Sequence, residues 1–133
     1  MRLVFDTNVI ISAFINPYGK PSQILKMALS RKVEMCYNSA ILSEYERVMM
    51  RLKFSSVIDS TNICRFISLI RSIGVSFDPL PGKIKLPDES DRIFYDTARE
   101  SGSILVSGNL KHFPKEPFIL SPVDFLKLVE KKK

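Results

Sequence analysis

The sequence predicts a three-layer α/β/α domain built on a central parallel sheet of four to five strands. Short apolar runs alternate with longer amphipathic segments along the whole chain, which is typical of parallel strands joined by right-handed helical crossovers. The apolar runs lack the polar alternation of a half-exposed strand, so we expect both faces of the sheet to be covered. No internal repeat or long linker divides the 133 residues, and we expect a single domain spanning residues 1–133.

The first half of the chain contains two predicted strands and three predicted helices. The strands cover residues 2–5 and 33–37, where apolar side chains dominate. Apolar residues at helical spacing predict the helices, and proline or a small polar residue marks where two of them begin. We expect these helices over residues 7–15, from Pro21 onward, and from Asn38 or Ser39 onward until Ser55-Ser56 breaks the third.

The second half continues the alternation, with glycine and proline marking the boundaries. Three further strands are predicted over residues 75–77, 103–106 and 118–120. The helices are expected over residues 59–73 before Gly74, over residues 90–101 before Gly102, and from Ser121-Pro122 onward. Residues 78–87 hold three prolines and a glycine, so they predict a loop.

Composition excludes several classes of protein. Hydrophobic residues make up 45% and charged residues 26%, which is ordinary for a globular core and argues against disorder. No apolar run approaches the roughly 20 residues of a membrane helix, and Asp6 and Asn8 interrupt what would be a signal peptide. Cys36 and Cys64 form no Cys/His cluster, so we expect no zinc site and a reduced, cytoplasmic setting.

The charge balance points to an anionic partner. The chain has 20 Lys and Arg against 14 Asp and Glu, a net charge of +6. Such a surplus favours binding to a polyanion.

Acidic and amide residues follow four of the predicted strands. Asp6 comes directly after the first strand, Glu44 lies early in the helix after the second, Asp88 and Asp91 begin the helix after the third, and Asn109 follows the fourth. Because the carboxyl ends of parallel strands share one edge of a sheet, we expect these residues to converge there. Converging carboxylates raise one another's pKa, a conflict that a hard divalent cation such as Mg²⁺ or Mn²⁺ relieves.

Each acid also has a simpler interpretation. Asp6 could cap the helix that follows it, and Asp88 or Asp91 could stabilise a first helical turn. Glu44 could pair with Arg47 three residues further along the same helix. The coincidence of four places at one edge favours a shared site over these separate roles.

Four sequence motifs together resemble the PIN-domain family, in the subgroup of toxin–antitoxin toxins related to VapC-type ribonucleases. The resemblance covers essentially the full length and implies a PIN-like fold and a nuclease activity. The motifs are Val4-Phe5-Asp6-Thr7-Asn8-Val9, Ser39-Ala40-Ile41-Leu42-Ser43-Glu44-Tyr45, Asp88-Glu89-Ser90-Asp91-Arg92-Ile93-Phe94-Tyr95 and Val106-Ser107-Gly108-Asn109-Leu110-Lys111-His112-Phe113-Pro114.

The resemblance also implies residue roles. Asp6, Glu44 and Asp91 match the metal-binding acids of the family, and Asn109 stands where many members carry a fourth Asp. An amide oxygen can coordinate a hard cation but brings no charge, so the site is expected to hold one Mg²⁺ readily and a second less well. Supporting polar residues that orient these ligands or assist from the rim are Thr7, Asn8, Asp88 and Ser107.

The expected chemistry is hydrolysis of phosphodiester bonds in single-stranded or structured RNA. A carboxylate-held Mg²⁺ can orient a water, lower its pKa and bridge to the phosphate. We expect Asp6 and Asp91 to hold the metal, and Glu44 to bind it or to position the water as a base. His112, the only histidine, is expected to close the Asn109 loop or contact phosphate rather than serve as the general base. Basic candidates for RNA contact are Arg47, Arg51, Lys53, Arg92, Lys111 and His112.

The resemblance adds two protein partners, a cognate antitoxin that blocks the cleft and a second copy of the chain in a homodimer. An apolar, methionine-rich group of side chains could supply the dimer interface, although core packing explains it equally well. This group comprises Met35, Met49, Met50, Leu52 and Phe54.

Two other functions remain open from the residues alone. Asp6 could be the covalent nucleophile of a phosphatase, although the second Asp that this chemistry usually has two residues later is Asn8 here. The chain could also be a catalytically weak or silent RNA-binding domain, which the uncharged Asn109 makes conceivable.

Overall fold

The computed structural model describes residues 1–52 and 58–131. Within these residues the strands are β1 (Arg2–Phe5), β2 (Glu34–Tyr37), β3 (Val75–Ser76), β4 (Ile104–Val106) and β5 (Ile119–Leu120). The α-helices are α1 (Thr7–Ile15), α2 (Lys20–Leu29), α3 (Ser39–Arg51), α4 (Ser60–Ile73), α5 (Arg92–Ser101) and α6 (Pro122–Lys131). Short 3₁₀ turns span Glu89–Asp91 and Leu110–His112.

The five strands form one parallel sheet flanked by helices, in the order β3-β2-β1-β4-β5. This confirms the predicted α/β fold with a parallel sheet of four to five strands. β1 lies at the centre and pairs with β2 on one side and β4 on the other, with Val4 opposite Leu105. The strands therefore end at a common carboxyl edge, and β1 and β4 end side by side.

The central strand forms the middle of the core. Leu3, Val4 and Phe5 have no exposed surface, which explains the unbroken apolar run at this point of the sequence. On the helical side, Phe14 of α1 and Phe66 of α4 meet edge to face, with ring centroids 5.0 Å apart. None of the described helices is long and apolar enough to cross a lipid bilayer.

Local hydrogen bonding accounts for one boundary that differs from expectation. The helix expected from Ser90 begins at Arg92, because the Asp88 carboxylate accepts hydrogen bonds from the Ser90 backbone N–H at 2.9 Å and the Ser90 hydroxyl at 2.8 Å. These contacts stabilise a 3₁₀ turn before the helix. The expected break at Ser55-Ser56 lies outside the described residues.

A buried asparagine joins three elements next to the carboxyl edge. The Asn38 side chain accepts a hydrogen bond from the Ile41 backbone N–H at 2.9 Å, which caps α3 as expected. Its amide donates to the Phe77 carbonyl at 3.1 Å and to the Thr97 hydroxyl at 2.8 Å. Asn38 thereby holds the ends of β2 and β3 against α5.

Replacing Asn38 with alanine is expected to lower the free energy of unfolding by about 2 to 4 kcal/mol, because two buried groups and one partly buried carbonyl lose their partner. Urea unfolding followed by circular dichroism measures the change. Ser39→Ala, at the exposed neighbouring position, is the control and should change stability by less than about 0.5 kcal/mol. Equal stability of the two variants would contradict this role of Asn38.

The loop over residues 78–87 is held by Arg92 at the start of α5. The guanidinium donates to the backbone carbonyls of Gly82 at 3.1 Å and Ile84 at 2.5 Å, and it pairs with Glu89 at 2.6 Å and Asp96 at 3.4 Å. Asp96, only 4% exposed, also accepts the Gly82 backbone N–H at 3.0 Å. A Cβ at Gly82 would come within 2.7 Å of the Asp96 carboxylate, so a larger residue here would force that carboxylate to shift.

Candidate functional site

A cavity of about 190 Å³ lies at the carboxyl edge of the sheet. All three predicted catalytic acids line it, together with three of the four predicted supporting residues. Its lining residues are Asp6, Thr7, Asn8, Glu44, Val48, Arg51, Asp88, Ser90, Asp91, Phe94 and His112. The sheet topology thus brings together residues that lie up to about 100 positions apart in sequence.

Asp6 extends the central strand into the cavity. Its backbone N–H donates to the Val106 carbonyl at 3.0 Å, which continues the β1–β4 pairing by one residue. The side chain is 5% exposed, and its Oδ2 accepts a hydrogen bond from the Ser107 hydroxyl at 2.7 Å. Asp6 occupies the N-cap position of α1, yet its carboxylate makes no capping hydrogen bond there. Burial raises the pKa of Asp6, and the hydrogen bond from Ser107 partly opposes this.

Ser107 fixes the orientation of Asp6 from the end of the neighbouring strand. Its fully buried hydroxyl accepts the backbone N–H of Asn109 at 3.0 Å while it donates to Asp6, so the direction of the O–H is determined. Asn109 supports the site through its backbone N–H. Asn109 is not among the described residues that line the cavity.

Replacing Ser107 with alanine is expected to lower the free energy of unfolding by about 1 to 3 kcal/mol, because the Asp6 carboxylate and the Asn109 N–H lose a buried partner. The pKa of Asp6 should also rise further, since the hydrogen bond that favours its charged form is gone. Denaturant unfolding and NMR titration of Asp6 measure these effects. Ser68→Ala on the exposed side of α4 is the control. An unchanged pKa of Asp6 would contradict the role assigned to Ser107.

Asp91 carries the most perturbed carboxylate of the cavity. Its side chain is 14% exposed, and its Oδ2 is buried without a hydrogen bond, with Nδ1 of His112 3.5 Å away. Burial and then the negative charges of Asp6 and Asp88 raise the pKa of Asp91 to about 6, although His112 acts in the opposite direction. This carboxylate is placed where a further positive charge would stabilise it.

Glu44 reaches the cavity from α3 but has a partner on its own helix. Its carboxylate accepts hydrogen bonds from Nη2 of Arg47 at 2.7 Å and Nε at 3.2 Å. This ion pair is the one considered from sequence spacing as the simpler interpretation of Glu44. The pair is partly exposed, and it leaves Glu44 within the electrostatic influence of Asp6 and Asp91.

Tyr45 sets the position of α3 relative to β1, which the sequence did not reveal. Its fully buried hydroxyl donates to the backbone carbonyl of Phe5 at 2.5 Å, directly before Asp6. The Tyr45 ring also stacks on Phe94 of α5, with centroids 6.2 Å apart. The amphipathic pattern of α3 placed Tyr45 on the inner face, but the pattern contains no signal for its hydrogen-bond partner.

The donor set of the cavity fits a hard divalent cation in its chemistry. The carboxylates are mutually repulsive, and two oxygens at the cavity, Oγ1 of Thr7 and Oδ2 of Asp91, are buried without hydrogen-bond partners. Oxygen donors with this charge suit Mg²⁺ or Mn²⁺. Across residues 1–52 and 58–131, however, no three Asp, Glu, His or Cys side chains are close enough together to form a ready metal-ligand group. Glu44 is paired with Arg47 in this arrangement.

The predicted RNA-contacting residues divide between the cavity and other roles. Arg51 and His112 line the cavity. Arg47 pairs with Glu44, and Arg92 is engaged by the loop over residues 78–87. Lys111 lines a neighbouring groove, and Lys53 lies outside the described residues.

Comparisons with known proteins identify the family and the fold. A family model described as PIN domain matches residues 2–111, which include β1 through β4 and every predicted metal-binding residue. An uncharacterized protein of Methanocaldococcus jannaschii is 31% identical over 110 residues, covering 82% of this chain and 71% of that protein. The crystal structure of VapBC2 from Rickettsia felis, bound to a DNA fragment from their promoter, superposes with a TM-score of 0.60. That comparison covers 91% of this chain and 97% of the other at 15% identity, so it shows a shared fold.

Proposed function

The chain belongs to the PIN domain family, whose members are generally nucleases, and from this premise we propose that it is a metal-dependent endoribonuclease. The proposed reaction is hydrolysis of phosphodiester bonds in single-stranded or structured RNA. The observation that carries the proposal is the Asp91 carboxylate, buried without a hydrogen bond in a cavity that it shares with Asp6 and Glu44.

The proposed metal is Mg²⁺ or Mn²⁺, held by Asp6, Glu44 and Asp91. Asn109 would be an uncharged fourth ligand only after its side chain turns into the cavity, which it does not line here. When bound, such an ion supplies a more acidic water and stabilises charge on the phosphate. The protein contributes the orientation of the ligands. Ser107 fixes Asp6 by its hydrogen bond, and Tyr45 ties the helix that carries Glu44 to the strand that carries Asp6.

The remaining polar residues of the cavity have supporting roles in this proposal. Thr7 offers a buried hydroxyl without a partner, Asn8 is exposed at the mouth, and Asp88 stabilises the turn that presents Asp91. His112 lies 3.5 Å from Asp91, where its imidazole can balance the carboxylate or contact a phosphate.

RNA is the proposed substrate because the acidic cavity has a basic border. Arg51 and His112 line the cavity itself, Lys111 is exposed next to it, and the whole chain has a net charge of +6. Contacts of this kind bind phosphates without reading sequence and weaken with salt. Single-stranded or looped RNA can present its backbone to a small cleft more easily than a duplex can.

A toxin of a toxin–antitoxin pair is the cellular role that we propose. The fold matches VapBC2, whose solved structure is a complex bound to promoter DNA. We propose a cognate antitoxin that covers the cavity, a homodimeric assembly and a cytoplasmic location where RNA is available.

The experiment that tests the proposed function is cleavage of fluorescently labelled single-stranded RNA by the purified chain, with Mg²⁺, Mn²⁺ or EDTA. We expect cleavage with either metal and none with EDTA. A matched single-stranded DNA tests the preference for RNA. Absence of cleavage under all conditions, with RNA binding retained, would instead support a silent RNA-binding domain, which the Glu44–Arg47 pair and the uncharged Asn109 favour as the second candidate. Acid-stable phosphate on Asp6 would support the phosphatase alternative.

A further inference from the structure

A second cavity is lined by the segment that connects β4 to β5 and by Ile119 of β5. We name it the Leu110 groove. Its volume is about 670 Å³, within the range of about 300 to 1,000 Å³ typical of ligand pockets. Its lining residues are Leu110, Lys111, Phe113, Pro114, Lys115, Glu116, Pro117 and Ile119.

The Leu110 groove and the candidate site are lined by residues of the same 3₁₀ turn. Leu110 and Lys111 line the groove, while His112, the last residue of the same 3₁₀ turn, lines the acidic cavity. Such a turn is only about 6 Å long, at ~2 Å per residue. A chain molecule in the acidic cavity can therefore reach the groove with a neighbouring unit.

The chemistry of the groove fits one nucleotide. Leu110 is 41% exposed, and together with the two prolines it presents an apolar surface suited to a base. Lys111 and Lys115 are exposed cations that can contact phosphates, and Glu116 is the one carboxylate of the described lining. The combination of apolar walls and flanking cations matches a base with its phosphates better than it matches an acidic peptide or a lipid surface.

We propose that the Leu110 groove binds the nucleotide adjacent to the scissile phosphate of an RNA strand. This inference rests on the proposed nuclease function and adds a substrate subsite to it. The base lies against the apolar lining, and Lys111 and Lys115 contact the phosphates on either side. The subsite would make cleavage efficiency depend on the nucleotide next to the cleavage site.

Binding can be tested without cleavage by NMR of methyl-labelled protein in EDTA. The probes are uridine 5′-monophosphate and adenosine 5′-monophosphate, with inorganic phosphate as the matched control. We expect both nucleotides to shift the methyl signals of Leu110 and Ile119, phosphate to shift neither, and Leu80, exposed on the loop over residues 78–87 and outside the groove lining, to remain unchanged. If the nucleotides shift these methyl signals no more than phosphate does, the proposal is overturned. Shifts that depend on protein concentration alone would assign the groove to a second copy of the chain and would overturn it too.

Steady-state kinetics of RNA cleavage provides the second test. Lys115→Ala is expected to lower kcat/KM by about three- to tenfold, through a higher KM. The slope of log(kcat/KM) against log salt concentration should also become shallower by about one, as expected for the loss of one phosphate contact. Lys83→Ala removes the same charge from the exposed loop over residues 78–87 and should stay within about twofold. An abasic nucleotide next to the cleaved bond should lower kcat/KM by about fivefold or more, as loss of a base contact does elsewhere.

The outcomes separate the two proposals. Cleavage of RNA with unshifted methyl signals and an unchanged Lys115→Ala variant would overturn the subsite and leave the nuclease function standing. Nucleotide-specific shifts in a chain that cleaves no RNA would support nucleotide binding by the groove and overturn the nuclease function.

Discussion

Replacing Asp91 with asparagine is expected to abolish RNA cleavage while making the protein more stable at neutral pH. In the proposed nuclease, Asp91 is a charged metal ligand, and its loss should lower kcat/KM by at least about a hundredfold. The gain in stability follows from the environment of the carboxylate, which is buried, lacks a hydrogen bond on Oδ2 and faces the charge of Asp6. Asparagine keeps the size of the side chain and removes the charge.

The pH dependence of this gain can be derived from the raised pKa. In the unfolded chain Asp91 loses its proton near its ordinary pKa of about 4, but in the folded protein its pKa is about 6. Below pH 4 the carboxyl is neutral in both states, and its burial carries no electrostatic cost. Between pH 4 and 6 the unfolded state releases its proton first, so stability falls, and above pH 6 the loss is complete.

We therefore expect Asp91→Asn to raise the free energy of unfolding by the order of 1 to 3 kcal/mol at pH 7.5 in EDTA, with no difference from the unaltered protein near pH 4. Thermal unfolding at both pH values measures this. Added Mg²⁺ should raise the Tm of the unaltered protein and leave that of the variant unchanged. Asp124→Asn, at an exposed position of α6, is the matched control. Full cleavage activity in Asp91→Asn would refute its role as a metal ligand.

Replacing Tyr45 with alanine is expected to lower the free energy of unfolding by about 3 to 5 kcal/mol, because a fully buried aromatic side chain leaves a cavity behind. Domains of this kind have total stabilities of about 5 to 15 kcal/mol, so this variant could be largely unfolded at 37 °C. Guanidinium unfolding measures the effect. Tyr18→Ala is the control, since Tyr18 is 90% exposed and should change stability by less than about 0.5 kcal/mol.

The Tyr45→Phe variant distinguishes the packing role of the ring from the positioning role of the hydroxyl. It keeps the ring and its stacking on Phe94 but leaves the Phe5 carbonyl without its donor, at an expected cost of about 1 to 2 kcal/mol. If Tyr45 positions Asp6 relative to Glu44, kcat should fall several-fold with little change in KM. A stable Tyr45→Phe variant with unaltered kcat would restrict Tyr45 to a packing role.

The order of the elements could be predicted because it depends on local patterns. The first helix was predicted over residues 7–15 and is observed as Thr7–Ile15, since apolar periodicity and the Asn16-Pro17 turn define both ends. The start of α5 was predicted less well. Its sequence contains several capping residues in succession, and which of them caps depends on the hydrogen bonds between Asp88 and Ser90.

The location of the candidate site could be predicted from the sequence, but the hydrogen-bond partners of its side chains could not. Parallel strands have to end at one edge, so Asp6, Glu44 and Asp91 could be assigned to one cavity before any coordinates. Glu44 can pair with Arg47 on its own helix or turn toward the cavity, and sequence spacing does not decide between the two. The engagement of Arg92 by Gly82 and Ile84 depends on the path of the loop, and loop paths are not encoded in periodicity.

The pairing of β1 with β4 has a consequence for how the protein acquires its function during synthesis. The hydrogen bond between Asp6 and Ser107 joins groups 101 residues apart, and the central strand cannot complete its pairing before the fourth strand exists. Contacts this distant along the chain incur a large loop-closure entropy and form late in folding. A nascent chain on the ribosome therefore contains Asp6 101 residues before Ser107 is made, and it lacks an assembled cleft until β4 has been translated.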